Sequence, residues 1–258
     1  MDKGQVQFRR EGSVAHIVFD RPQARNAMTW EMYQRLGEIC DELIADDSVR
    51  AAVFRGAGGE AFVAGTDIEQ FLAFKDGEDG IRYEVIIDGM IAKIESLPFP
   101  TIAVVEGWAI GGGMAIASAC DFRIATPSAQ FGIPIARTLG NTLSMANHAR
   151  VVAAVGVARA KRMLLMAETI SAAEAKAAGF VYDVVEPEAI AERANEAAAK
   201  LAKLAPVTVR ASKEAIRRIV NAGLPDGDDL VRACYGSDDF REGVRAFTEK
   251  RKPVWRGR

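Results

Sequence analysis

The sequence predicts an α/β fold, on three observations. Short strand-like runs alternate with helical runs through the first half of the chain. A wholly apolar run, Thr101 to Val105, leads into a glycine-rich turn that opens a helix of small residues. After Gly156 the chain becomes alanine-rich and helical, with one strand-like run at Phe180 to Val185. Alternation followed by helices reads as an α/β core over residues 1–204 and a helical C-terminal region over residues 205–258, beginning near Ala205 and Pro206.

The elements follow in order. Val14 to Phe19 alternates around His16 as a strand, paired with Val6 to Phe8 through the Glu11-Gly12 turn. Thr29 is placed to N-cap a helix whose apolar positions Met32, Leu36, Ile39 and Leu43 recur at helical spacing. Ala51 to Phe54 and Ala61 to Ala64 read as short strands, and the second leads through Gly65 into a short helix from Asp67. Ile81 to Ile94 reads as a helix that Leu97-Pro-Phe-Pro100 stops before the strand at Thr101. Gly111, Gly112 and Gly113 open the helix Met114 to Ala119, and Phe122 to Ala125 and Ala129 to Phe131 are further short strands.

Composition narrows the class. A chain of 258 residues with 49% hydrophobic and 26% charged residues has ample material for a core and reads as globular. A formal net charge of -2 provides no field for nucleic acid, so no such partner is expected. Cys40, Cys120 and Cys234 lie far apart, with neither metal-ligand spacing nor a disulfide framework, which fits a reducing cytoplasm. Met1 to Gln5 lacks the apolar segment of a secretory signal, and no apolar run is long enough to span a bilayer. A cytoplasmic location without membrane attachment is expected.

The chemistry concentrates at the three glycines. Glycines at a helix start leave backbone N–H groups that no side chain shields. With the positive end of the helix, such donors suit a negative charge developing on a substrate oxygen. Close helix packing without chemistry is the competing account of a lone Gly-Gly-Gly run. A dinucleotide site fails on spacing, since no Gly-x-Gly-x-x-Gly follows a strand.

Four segments together carry a family pattern: Asp20-Arg-Pro-Gln-Ala-Arg-Asn-Ala27, Phe62-Val-Ala-Gly-Thr-Asp-Ile68, Val104 to Ala125, and Ala246-Phe-Thr-Glu-Lys-Arg-Lys-Pro253. Ala129 to Gly132 and Ile170 to Phe180 add to it, in the same order. The chain thereby resembles the crotonase superfamily, also called the enoyl-CoA hydratase/isomerase family, over nearly its whole length.

The resemblance implies a spiral of repeated β-β-α units with a helical C-terminal trimerisation region, assembled as a homotrimer or a dimer of trimers. It implies an acyl-CoA substrate, no metal, and no cofactor beyond the coenzyme A that arrives as part of the substrate. Carried over by position, the oxyanion donors are the amides of Ala64 and Gly112. Ala64, Gly65, Thr66, Asp67 and Ile68 bracket the adenine and ribose. Phe247 and Lys250, from a neighbouring subunit's C-terminal helix, reach the nucleotide end, and Arg25 is a weaker phosphate contact.

The chain departs from the family at the acids. Where hydratases of this family carry a glutamate two residues after the last glycine, this sequence has Ala115. The place of the second glutamate falls at Ile135, or at Ala136 if the gap is set differently, and the later acid of some isomerases falls near Ser144. No Asp or Glu occurs from Phe122 through Ala167. Hydration needs a base to activate water and an acid to protonate carbon, each worth roughly 10²–10⁴-fold. A standard two-glutamate mechanism is therefore not expected.

Ala115, Ile135, Arg137, Asn141 and Ser144 remain as acyl-pocket candidates. Histidine is the residue type suited to proton transfer at physiological pH, but the helical register of His148 favours a surface or interface role. Asp67 is read as a helix cap, and Glu69 and Glu84 as members of a solvated helix face, with the pocket mouth as the alternative. The favoured function is an acyl-CoA enzyme grouped with enoyl-CoA hydratases and isomerases. The alternatives are a non-catalytic acyl-CoA binder, a decarboxylase, or a thioesterase using water near His148.

Overall fold

In the computed structural model, which describes residues 3–258, the N-terminal hairpin forms around its glycine turn. Strands β1 (Gln5–Glu11) and β2 (Val14–Asp20) pair antiparallel, with Glu11 opposite Val14. Met1 and Asp2, the start of the stretch read above as lacking a signal, lie outside the described residues. Helix α1 (Trp30–Ile44) starts where its cap predicts: the Thr29 hydroxyl accepts the Met32 amide at 3.3 Å. Its buried stripe contains Met32, Leu36, Ile39 and Leu43, the positions that set its period.

A β-β-α unit then repeats. Strands β3 (Ala51–Gly56) and β4 (Ala61–Val63) precede a 3₁₀ helix at Ile68–Ala73 and helix α2 (Gly77–Ser96). Strands β5 (Thr101–Val105) and β6 (Trp108–Ile110) precede helix α3 (Gly112–Ala119). Strands β7 (Phe122–Ala125) and β8 (Gln130–Gly132) precede the short helix α4 (Ile135–Thr138). The first strand of each unit enters one sheet and the second strand another. The sheets run β1-β2-β3-β5-β7-β10 and β4-β6-β8-β9, with β9 at Thr169–Ser171 and β10 at Asp183–Val184. This is the spiral expected from the resemblance. Three strands depart from the sequence reading: β6 forms within the glycine-rich stretch, β9 falls where only helix was read, and the run at Phe180 to Val185 yields only two strand residues.

Helices α5 (Met145–Val155), α6 (Val157–Leu165), α7 (Ala172–Ala177) and α8 (Ile190–Leu201) complete the core. The parallel strand β5 lies between β3 and β7 and is covered on both faces, which explains its continuous buried run. Ala52, Phe54 and Ala103 point into the main core, while Val53, Ile102, Val104 and Ile124 pack under Ile190, Ala194 and Ala198 of α8.

The C-terminal helices are α9 (Pro206–Val220), α10 (Asp228–Tyr235) and α11 (Asp238–Thr248). Helix α10 lies along α2, and α11 lies over the 3₁₀ helix. The α2–α10 approach depends on Gly77 and Gly80. A Cβ at Gly77 would overlap the Arg232 backbone, and one at Gly80 would enter the Tyr235 ring. Among the described residues, no helix is long and apolar enough to cross a membrane.

Candidate active site

The site forms where parallel strands end. Ala61 of β4 pairs with Trp108 of β6 and Val63 with Ala109, so both strands deliver their C-terminal ends to the same edge. Beyond β4 the chain runs through Ala64, Gly65 and Thr66; beyond β6 it runs through Gly111 into Gly112, the first residue of α3. Open α/β sheets place ligands at this edge. Gly111 adopts φ 55, a conformation costly for a residue with a side chain. At Gly112 a Cβ would stand 2.6 Å from the Tyr33 hydroxyl, 3.4 Å from Thr66 Oγ1 and 3.8 Å from the Thr66 nitrogen. A side chain here would press on the Tyr33 hydroxyl, while the Thr66 backbone lies at ordinary contact distance.

The amides here are not equivalent. Ala64 N–H donates to the Arg25 carbonyl at 3.0 Å and is therefore already used. That corrects the assignment of Ala64 as a donor: the loop carrying Arg25 takes its hydrogen. One residue on, Gly65 O accepts from Met28 N–H, and Asp67 N–H donates to Met28 O. This bridge leaves the Thr66 N–H between them without an acceptor among the described residues. Gly112 N–H, at the first turn of α3, also has none. The free pair is Thr66 and Gly112, in place of Ala64 and Gly112.

Hydroxyls hold this pair in place. Tyr33 Oη and Thr66 Oγ1 share a hydrogen bond at 2.9 Å, and Thr66 Oγ1 meets Tyr83 Oη at 2.8 Å. Burial first, and the Glu84 carboxylate in addition, push the Tyr33 hydroxyl up to about 12, so it stays protonated. Asp67 caps the 3₁₀ helix by accepting the Glu69 amide at 3.1 Å and pairs with Arg21 at 2.7 Å.

These backbones wall a cleft of about 1020 Å³. Arg25, Gly65, Thr66, Asp67, Ile68, Ala64 and Gly112 line it, as do Ala115, Ile135, Arg137 and Asn141. Phe247 and Lys250 line it too, from α11 and the residues after it in the same chain, where a neighbouring subunit's helix was expected. Ser144 does not belong to the lining: its hydroxyl caps α5 by accepting the Asn147 amide at 3.1 Å. His148 is not part of the lining either, and its Nδ1 lies 2.9 Å from the Ser144 carbonyl oxygen.

Glu84 takes the less favoured of its two sequence readings. Expected foremost on a solvated face, it is 5% exposed and lines the cleft. It lies one helical turn after Gly80, on the α2 face against α10, where Tyr235 Oη donates to Glu84 Oε1 at 2.7 Å. The Ser144 amide donates to Oε2 at 2.8 Å, and Asn141 Nδ2 donates to Tyr235 Oη at 3.1 Å. Burial pushes the Glu84 carboxyl up to about 7, against the hydrogen bonds from Tyr235 and Ser144 that favour its charge. A signal was present in the sequence: Gly80, Tyr83, Glu84, Ile87 and Ile91 form one i, i+3, i+4, i+7 stripe.

Two backbone amides without acceptors among the described residues, a helix start and a long cleft lie together at the parallel strand ends. Comparison with known proteins gives this arrangement its family. The model for the enoyl-CoA hydratase/isomerase family matches residues 9–258. The chain belongs to that family, and so to the crotonase superfamily. It is 35% identical over 256 residues to the short-chain-enoyl-CoA hydratase of Clostridium acetobutylicum, covering 98% of this chain and 97% of that protein. It is also 35% identical over 249 residues to the (E)-benzylidenesuccinyl-CoA hydratase of Thauera aromatica, covering 95% and 96% of the two. Among solved structures, a methylmalonyl-CoA decarboxylase in complex with 2-nitronate-propionyl-CoA superposes with TM-score 0.89 at 27% identity, covering 98% of both chains.

Proposed function

We propose that this protein is an enzyme that binds acyl-CoA thioesters and stabilises an enolate oxygen on the thioester carbonyl. The observation that carries this reading is the proximity of two amides without acceptors among the described residues, Thr66 and Gly112, on the wall of the cleft. Such preorganised donors act where charge develops, and losing one typically costs on the order of 10²–10³ in rate. Lys250 and Phe247 at one part of the lining, with Arg25 and residues 64–68, supply a cationic and apolar path for the coenzyme. Ala115 and Ile135 face the cleft with aliphatic side chains, so the reaction differs from two-glutamate hydration. Val207, Ile216 and Ile219 are exposed on α9 and support assembly into a homotrimer or a dimer of trimers.

Decarboxylation is the second reading. Loss of CO₂ from a malonyl-type thioester leaves an enolate without prior proton abstraction, so the same two amides would serve it. It is supported by the close superposition on the methylmalonyl-CoA decarboxylase and by the aliphatic residues at 115 and 135.

The test incubates the protein in D₂O with butyryl-CoA, 3-butenoyl-CoA and methylmalonyl-CoA, following each by mass spectrometry. Deuterium at C2 or turnover of at least one thioester is expected. Binding with neither label nor turnover across the set indicates a carrier, and no binding at all overturns the acyl-CoA assignment.

A further inference from the structure

We infer that Glu84, held by Tyr235 and the Ser144 amide, is the catalytic group that moves the substrate proton, in place of the two glutamates absent at positions 115 and 135. The inference rests on the enolate reading above and asks which side chain exchanges a proton with C2.

Elimination within the cleft supports it. Three carboxylates are found among the described lining residues: Asp67, Glu69 and Glu84. Asp67 is committed to Arg21 and to its cap, and Glu69 is exposed to solvent. Tyr83 is held protonated, since burial pushes its hydroxyl well above the ordinary value. The remaining titratable residues of the lining, Arg21, Arg25, Arg137 and Lys250, are cations. Glu84 alone combines burial, access to the cleft and a proton affinity near neutrality.

Geometry joins it to the oxyanion site. Glu84 follows Tyr83 on α2, and the Tyr83 hydroxyl reaches Thr66 Oγ1, which reaches Tyr33 beside Gly112. The Glu84 carboxylate accepts from the Tyr235 hydroxyl, the Ser144 amide and the Asn147 side chain, three of its roughly four acceptor sites, so one lone pair stays open. The ionised carboxylate takes the proton from C2; the C–H pair becomes the C1–C2 double bond, and the carbonyl pair moves onto oxygen. An enolate oxygen and a carboxylate in one dry cleft repel, so charge appearing on the oxygen favours the proton's transfer to Glu84. The protonated carboxyl then returns the proton to carbon, at C2 or at C4 of a dienolate. After decarboxylation the same acid protonates C2.

The charged and titratable groups around Glu84 are few. Asp88 on its own helix raises its proton affinity, and Tyr235 of α10 lowers it. Tyr83 on α2 and Tyr33 of α1 stay neutral, and Arg150 of α5 is turned to Glu95 at 2.7 Å and Asp88 at 3.7 Å.

The experiment compares full-length wild type with Glu84→Gln, Glu84→Asp and Tyr235→Phe, on the thioester that wild type labels fastest in D₂O. Glu84→Gln is expected to slow C2 exchange by at least about 10²-fold, with the Kd for butyryl-CoA within about threefold of wild type. Glu84→Asp restores part of the rate. Wild-type exchange rises with pH through about 7 as Glu84 ionises, and Tyr235→Phe moves that inflection upward by removing a donor to the carboxylate. The Tyr235→Phe profile decides the matter if Glu84→Gln does not fold. Exchange at the wild-type rate in Glu84→Gln, or an inflection unmoved in Tyr235→Phe, overturns the role of Glu84 while leaving the enolate reading intact. A wild type that labels no thioester it binds overturns the enolate reading itself.

Discussion

Replacing Glu84 by Gln should make the protein more stable, and increasingly so as pH rises. The carboxyl binds its proton more tightly in the fold, at about 7, than at the ordinary 4.5 of an unfolded chain. A raised carboxyl contributes full stability below the unfolded value and loses it as pH climbs through the folded one, because the burial penalty falls on the charged form. At 1.36 kcal/mol per pH unit the whole loss is about 3 kcal/mol, of which roughly 2.5 kcal/mol falls between pH 5 and pH 8. Gln keeps the shape and carries no charge, so it escapes this loss. Urea unfolding followed by tryptophan fluorescence, with wild type and variant at pH 5, 6, 7 and 8, reads the difference directly. The advantage of Glu84→Gln should grow by about 2–3 kcal/mol across that range. A difference independent of pH would refute the argument, since it would mean the carboxyl ionises alike in both states.

Two further changes probe the oxyanion wall and the missing acids. Gly112→Ala and Gly113→Ala should separate activity from folding: the new Cβ at 112 meets the movable Tyr33 hydroxyl at 2.6 Å, whereas at 113 it overlaps the Val63 carbonyl in a fixed strand. The first variant keeps its amide and should remain soluble with a Tm near wild type, while C2 exchange falls by up to about 10²-fold because displacing the Tyr33 hydroxyl unsettles Thr66, whose Oγ1 it bonds; the second should fail to yield folded protein by circular dichroism. The double variant Ala115→Glu and Ile135→Glu should gain measurable hydration of crotonyl-CoA, read by loss of enoyl absorbance. Unaltered hydration in a folded double variant would show that these positions do not face the reacting carbons.

Much of the fold was legible in the residues alone. Thr29 with its stripe of Met32, Leu36, Ile39 and Leu43 announced α1, and the apolar run at Thr101 announced a strand buried on both faces. Such signals are local: a cap, a period of 3.6, or a strand with no polar face. Strand β6 was hidden because Trp108 to Ile110 is three residues long and bordered by glycines, and only its pairing with β4 and β8 makes it a strand.

By itself, the sequence determined the α/β class, the family and the glycine whose backbone must lie bare, because these depend on neighbours along the chain. The tertiary structure alone decided which amides are free and which acid is buried. Ala64 and Thr66 are two residues apart on one strand exit, yet the Arg25 carbonyl takes the hydrogen of the first and leaves the second open. Glu84 and Glu78 lie on the same helix, yet α10 covers only Glu84, and Glu78 stays at the surface paired with Arg232. Hydrogen bonds and desolvation are set by what packs across the fold, and no spacing in the chain reports them.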